Sequence, residues 1–292
     1  MTLLKILVLA ALVLAFVCLL SIWHASTHFH KVYYRLSSDK ISKPVKFVLM
    51  TDLHDKVYGK DNLSLLSAIR EEQPEGILVA GDMLTARTLE EGGYTDVSLA
   101  LLSKLTEEYP VYYGLGNHEA KMGWNRKFFG QQFEAYMEAL EALGVVILRN
   151  QFCELKDASI RIYGLDMERT YYKRLEQAPM NDHYIADKIG PAEERYYNIL
   201  LAHNPAYFDK YALWKPDLVL SGHVHGGLVR LPFLGGVISP ALKLFPKYDG
   251  GKFVKDDAVM ILSRGLGYHS VGFRMWNPSE LVVIELTPHE ES

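Results

Sequence analysis

Three features of this sequence predict an α/β layered fold. Five short apolar runs each end on polar residues, stretches with helical apolar spacing separate them, and the later part of the chain is rich in β-branched runs. In order, the five runs are "VKFVLM" before "TDLHD", "EGILVA" before "GDM", "YPVYYGL" before "GNHEA", "YYNILLA" before "HNP" and "PDLVL" before "SGHVH". Apolar runs this short read as buried strands. The intervening "DNLSLLSAIREEQ", "VSLALLSKLTEEY" and "QQFEAYMEALEALG" read as helices, the last closed by Gly144. After residue 145, "VVILRN", "IRIYGLD", "GGLVRLPF", "AVMILSRGLG" and "ELVVIELT" are strand-like and separated by turn residues, which predicts two packed sheets. In such a fold, ligands gather outside the carboxyl ends of the strands.

The first 23 residues stand apart. "LLKILVLAALVLAFVCLLSIW" is interrupted only by Lys5 and Ser21. As a helix at about 1.5 Å per residue it matches the ~30 Å hydrocarbon thickness. Bulky Trp23 spoils a small-residue cleavage pattern, and Val17 before Cys18 disfavours a lipoprotein site, so the segment is expected to stay as a single-pass anchor. Lys31, Arg35, Lys40 and Lys43 follow the span and Lys5 precedes it, a balance favouring a cytoplasmic domain. The expected organisation is an anchor over 1–23, a juxtamembrane connector over 24–45 and a catalytic domain over 46–287. A composition of 49% hydrophobic and 23% charged residues is that of a folded globular chain. Its net charge of -4 gives no basic face, so nucleic acid is an unlikely partner on composition. Two cysteines build no disulfide framework, and Cys153 reads as a packing residue.

The polar residues at the five strand ends are Asp52 and His54, then Asp82, then Asn117 and His118, then His203, then His223 and His225. All are metal-binding or proton-transferring types. A lone His-x-His pair says little, because alternate residues of an extended segment point opposite ways and two imidazoles meet at one object only where the backbone turns. Five successive strand ends that all supply such residues, mostly beside glycine, predict a metal site.

The ordered motifs D-x-H in "TDLHD", G-D in "AGDM", G-N-H-E in "GLGNHEA", a lone His in "LLAHNP" and G-H-x-H in "SGHVHGG" resemble those of the calcineurin-like metallophosphoesterases over residues 46 to 286. The resemblance implies a double β-sandwich flanked by helices and a two-metal centre. Asp52, His54 and His225 would bind one ion, Asn117, His203 and His223 the other, and Asp82 would bridge them at a separation of about 3.5–4 Å. A bridging hydroxide would attack the phosphorus, and His118 would protonate the leaving oxygen. With two dications, two carboxylates and one hydroxide, the site would present about one positive charge to an anionic phosphoester. A ligand set of oxygen and nitrogen without thiolate suits Mn, Fe, Zn or Co, with Mn favoured. Glu119 reads as a residue that positions His118 or its loop, and Asp55 as a solvated or supporting carboxylate.

The apolar, glycine-punctuated "GGLVRLPFLGGVISPALKLFPKYDGGKF" reads as loop packing or as a lip facing lipid. The chain also resembles the membrane-attached bacterial branch of that family, which includes enzymes acting on UDP-2,3-diacylglucosamine and general phosphodiesterases. The expected reaction is hydrolysis of a phosphodiester or pyrophosphate bond, on a substrate that is lipid-linked or a nucleotide lipid. Arg230, Arg264 and Arg274 read first as structural arginines and second as diphosphate contacts. A nuclease of the same fold and a silent membrane scaffold with a structural metal are the alternatives.

Overall fold

The computed structural model describes residues 3–173, 176–231, 233–238, 244–268 and 273–289. Helix α1 (Leu3–Thr27) is long and apolar enough to cross a membrane, and its apolar side chains are exposed. After His28, strand β1 (Phe29–Ser37) begins at once. The stretch read from sequence as a connector, 24–45, therefore holds the nine-residue strand β1. Its mostly alternating half-buried and exposed positions are those of an edge strand, which His30, Lys31 and Arg35 had disguised.

The first sheet continues with β2 (Val45–Met50), β3 (Gly76–Ala80), β4 (Val111–Gly114) and β5 (Val146–Ile147). The second contains β6 (Gln151–Leu155), β7 (Ile160–Gly164), β8 (Tyr197–Leu201) and β9 (Leu218–Ser221). A hairpin of β10 (Val229–Leu231) and β11 (Gly235–Ile238) follows, then β12 (Gly251–Lys255) and β13 (Ala258–Leu262) in the second sheet and β14 (Ser279–Thr287) in the first. The sheet orders are β1-β14-β2-β3-β4-β5 and β12-β13-β9-β8-β7-β6. Strands β2 to β5 run parallel, and so do β7, β8, β9 and β13, so the five motif-bearing strands open their carboxyl ends toward one edge of each sheet.

Side chains alternate across the strands and sort into layers. Phe47, Leu49 and Leu78 of the first sheet meet Ile160, Ile199, Leu218 and Ile261 of the second. Their opposite-facing neighbours Val48, Met50, Ile77 and Val79 pack under Leu65 and Ile69 of α2 (Leu63–Glu72), Leu101 of α3 (Val97–Thr106), and Phe133, Tyr136 and Leu140 of α6 (Gln132–Ala142). Helices α4 (Asn117–Trp124) and α5 (Arg126–Phe129) precede α6. On the far side, Ile185 of α7 (Tyr184–Ile189) and Phe208 and Tyr211 of α8 (Phe208–Leu213) cover Leu200, Val219 and Met260. The result is a helix–sheet–sheet–helix sandwich, the α/β architecture expected from the sequence. Gly144, with φ of 78°, follows α6 in the left-handed conformation expected of a helix stop.

Candidate metal centre

The loop after β2 carries Asp52 and His54. It runs beside the loop after β3: the Asp52 N–H donates to the Gly81 carbonyl and the His54 N–H to the Asp82 carbonyl. From the other sheet the loop after β9 comes over it, and the His223 N–H donates to both Asp52 carboxylate oxygens at 3.0 and 3.1 Å. This approach depends on Gly222, where a Cβ would lie 2.0 Å from Thr51 Oγ1 and 2.2 Å from Asp52 Oδ2. Five of the seven predicted ligands, Asp52, His54, Asp82, His223 and His225, have positive φ. For residues with a Cβ that conformation costs about 1–2 kcal/mol each, a strain that the converging hydrogen bonds sustain. It also lets His223 and His225 aim at a common place although only one residue separates them.

The predicted residues converge. The Nε2 atoms of His54 and His225 are 3.2 Å apart, and His225 Nε2 is 3.3 Å from Asp52 Oδ1. Asp82 Oδ2 lies 3.1 Å from His203 Nε2 and 3.7 Å from His54 Nε2, while its Oδ1 accepts the His118 N–H at 2.7 Å. Among the described residues, three groups hold their ligand atoms within 4.8 Å of one another: Asp52, His54 and His225; Asp82, His203 and His223; and His54, Asp82 and His118.

These residues suit a cation. His203 Nδ1–H donates to the Ala80 carbonyl at 2.6 Å, which leaves an electron pair on Nε2 directed at Asp82 Oδ2. Two electron-pair donors so close need a proton or a metal between them. Burial lowers the His203 pKa, but the Asp82 carboxylate outweighs it and, with Asp52, raises it to about 10. Burial likewise pushes Asp82 up, and the neighbouring His203 and His118 hold it well below the usual carboxylate range. Asn117 Oδ1, from the first residue of α4, is buried with no hydrogen-bond partner among the described residues. A carbonyl oxygen left in that state costs about 1–3 kcal/mol, which a divalent ion would offset.

The surrounding contacts hold the ligands in place. Glu119, fully buried, accepts hydrogen bonds from the backbone N–H groups of Asp82, Met83 and Gly116 and from the Tyr113 hydroxyl. It positions the loop, as its place in the sequence suggested. Asp55 is not solvated: its carboxylate is 5% exposed and binds the Thr85 N–H and Arg87. His118 Nδ1 accepts the Ala86 N–H at 3.0 Å, so in the neutral ring the proton sits on Nε2. The three arginines considered for a diphosphate are otherwise engaged. Arg230 pairs with Asp249, Arg264 with buried Glu280, and Arg274, itself buried, reaches the Gly267 carbonyl and His225 Nδ1. Asn277 sits in "WNPSE", a stretch that reads as a turn before the last strand. Its amide donates to the carbonyls of His225 and Gly227 at 2.6 Å each, and nothing in the local pattern marked it. His269 lies outside the described residues.

The cluster opens into a cavity of about 750 Å³ lined by Asn117, His118 and His223 at its inner end and by Lys121, Trp124, Arg169 and Tyr172 farther out. A profile of the calcineurin-like phosphoesterases matches residues 45–227, well over half of the chain. The chain belongs to the calcineurin-like phosphoesterase family. This phosphoesterase is thereby a metal-dependent phosphoester hydrolase, of a family that uses divalent ions. It is 28% identical over 268 residues to an uncharacterized metallophosphoesterase of Aquifex aeolicus, covering 90% of this chain and 94% of that one. It is also 28% identical over 250 residues to the phosphodiesterase YaeI of Escherichia coli, covering 83% and 82%. Against an uncharacterized metallophosphoesterase of Helicobacter pylori it is 27% identical over 258 residues, or 87% of this chain, and spans 63% of the relative's length. Among solved structures, the NAD nucleotidase of Haemophilus influenzae aligns with a TM-score of 0.43 at 15% identity, over 76% of this chain and 45% of that one.

Proposed function

We propose that this phosphoesterase hydrolyses a phosphodiester or pyrophosphate bond in a substrate presented at a membrane surface. The convergence of Asp52, His54, Asp82, Asn117, His203, His223 and His225 on the floor of an open cavity carries the reading. Asp52, His54 and His225 are assigned to one divalent ion and Asn117, His203 and His223 to a second, with Asp82 shared and Mn the favoured metal. When bound, such ions neutralise phosphoryl charge and bring the pKa of water toward about 7. The chain's own residues do the rest. His118 presents its Nε2 proton to the leaving oxygen, and its Nδ1 bond to the Ala86 N–H fixes the ring. Glu119 holds Asp82 and the start of α4 in register, and the walls of the cavity orient the ester.

The membrane part of the reading rests on how α1 meets the domain. The Trp276 N–H donates to Ser21 Oγ and the Tyr268 hydroxyl donates to the Ser26 carbonyl. Met275, beside Trp276, pairs with Leu228 and Arg230 at the foot of the β10–β11 hairpin. Near that hairpin, Phe233, Leu234, Leu244 and Phe245 are exposed. An apolar group of this kind beside an apolar helix suits a lipid surface. A lipid-linked or nucleotide-lipid substrate would then reach the cavity without leaving the bilayer, and the positive charges after α1 favour the cytoplasmic face for the domain.

The test uses the full-length protein in detergent. With Mn it should turn over bis-p-nitrophenyl phosphate, and chelation should abolish the activity; absence of metal-dependent turnover overturns the reading. A second arm compares a lipid diphosphate in vesicles with the same headgroup in solution. The pair Phe233→Ser and Leu234→Ser should lower the rate on the vesicle-borne substrate several-fold more than on the soluble one. An equal effect on both removes the lipid surface from the proposal.

A further inference from the structure

We propose that the cleft between α4 and the 3-10 turn Arg169–Tyr172 binds a second anionic group of the substrate, about one helical turn from the scissile phosphate. The inference deepens the function proposed above and rests on its placement of that phosphate beside Asn117 and His223. Residues 117, 118, 121 and 124 share one face of α4 by the helical period, Asn125 follows at its end, and all five line the cavity. At about 1.5 Å per residue, Lys121 stands roughly 6 Å along the axis from Asn117. Arg169, Thr170, Tyr172 and Lys173 form the facing wall.

The charges of this cleft set it apart. Lys121, Arg169 and Lys173 all line it, and among the described residues none of the three is ion-paired with a carboxylate. Cations close by are paired: Arg126 with Glu134, Arg149 with Asp166 and Lys188 with Glu168. Lys121 Nζ lies 5.5 Å from the Phe129 ring, and Arg169 reaches Asn125, another lining residue, at 3.4 Å. Three like charges gathered in the cavity of a protein with a net charge of -4 form a local positive field that an anion would relieve. The apolar part of the wall runs in parallel. The Tyr172 ring stands edge-on to His223 at 5.5 Å and lies 5.7 Å from Trp124, which gives a ring attached to the second anion an aromatic surface to rest on.

The second anion is a phosphate or a carboxylate, and lysine and arginine serve for either. Three substrates separate the cases in detergent-solubilised full-length protein with Mn: bis-p-nitrophenyl phosphate with one anion, ADP-ribose with a diphosphate, and the p-nitrophenyl diester of phosphoglycolate with a carboxylate. Arg169→Ala, and Lys121→Ala combined with Lys173→Ala, should raise KM for a two-anion substrate at least about tenfold more than for bis-p-nitrophenyl phosphate. Arg169→Lys should recover part of the loss. The two-anion substrate with the higher wild-type kcat/KM identifies the anion. If the variants affect all three substrates equally, or affect none, the subsite is refuted. Failure of the underlying reading would look different, because the wild type would then lack metal-dependent turnover of bis-p-nitrophenyl phosphate.

Discussion

Asp82 carries the most at the residue scale, since one oxygen accepts the His118 N–H and the other faces His203 and His54. Asp82→Asn replaces a carboxylate with an amide and should reduce kcat on bis-p-nitrophenyl phosphate by more than about 100-fold, together with a fall in bound metal measured by mass spectrometry. Glu119→Gln is a gentler probe. Its amide nitrogen would confront a backbone N–H where an oxygen now accepts one, so a roughly 10- to 100-fold loss is expected without a change in ligand identity. Retention of full activity would show that Glu119 does not set the loop. The residues that converge were legible in the sequence because strand ends gather in space and each delivered a ligand type. Lys121, Arg169 and Lys173 were not, because a cation's value depends on whether a carboxylate lies near it in the fold. Arg230 and Arg264 illustrate the point from the other side: they follow the last motif, yet Asp249 and Glu280 claim them.

Among the elements, the turn between β9 and His223 is a close junction between the two sheets. Gly222→Ala would drive a methyl group into Thr51 and Asp52, and relieving that overlap should cost about 1–3 kcal/mol. Differential scanning should show a Tm lower by roughly 2–12 °C, with weaker metal binding because Asp52 is displaced. An unchanged Tm and metal content would mean that the loops separate freely. The major strands and the helices α2, α3 and α6 were readable from period alone, since their apolar faces are buried in the layers that the period implies. Strand β1 was not, because charge on the exposed face of an edge strand resembles a linker. Strand β12, which alternates half-buried and exposed positions and carries Lys252 and Lys255, escaped notice for the same reason.

For the molecule as a whole, the arrangement of the first sheet governs what can be removed. Strand β14 lies between β1 and β2, parallel to one and antiparallel to the other, with nine residue pairs to β1. Deleting residues 1–27 leaves this pairing intact, whereas deleting residues 1–39 strips β1 and bares the edge of β14. The longer deletion should aggregate during size-exclusion chromatography while the shorter one stays monodisperse, since an unpaired edge recruits other chains. Equal behaviour of the two would show that β1 is dispensable. The apolar helix α1 and the sheet are thus joined by a single residue, His28, with hydrogen bonds from Trp276 and Tyr268 on the same helix end.

The interleaving of β14 also sets an order of events in the living cell. During synthesis strand β1 has no partner until residues 279–287 emerge. Assembly of the first sheet therefore finishes only after β14 has been made. Until then the first sheet keeps an open edge, the interval in which a chaperone would be most needed.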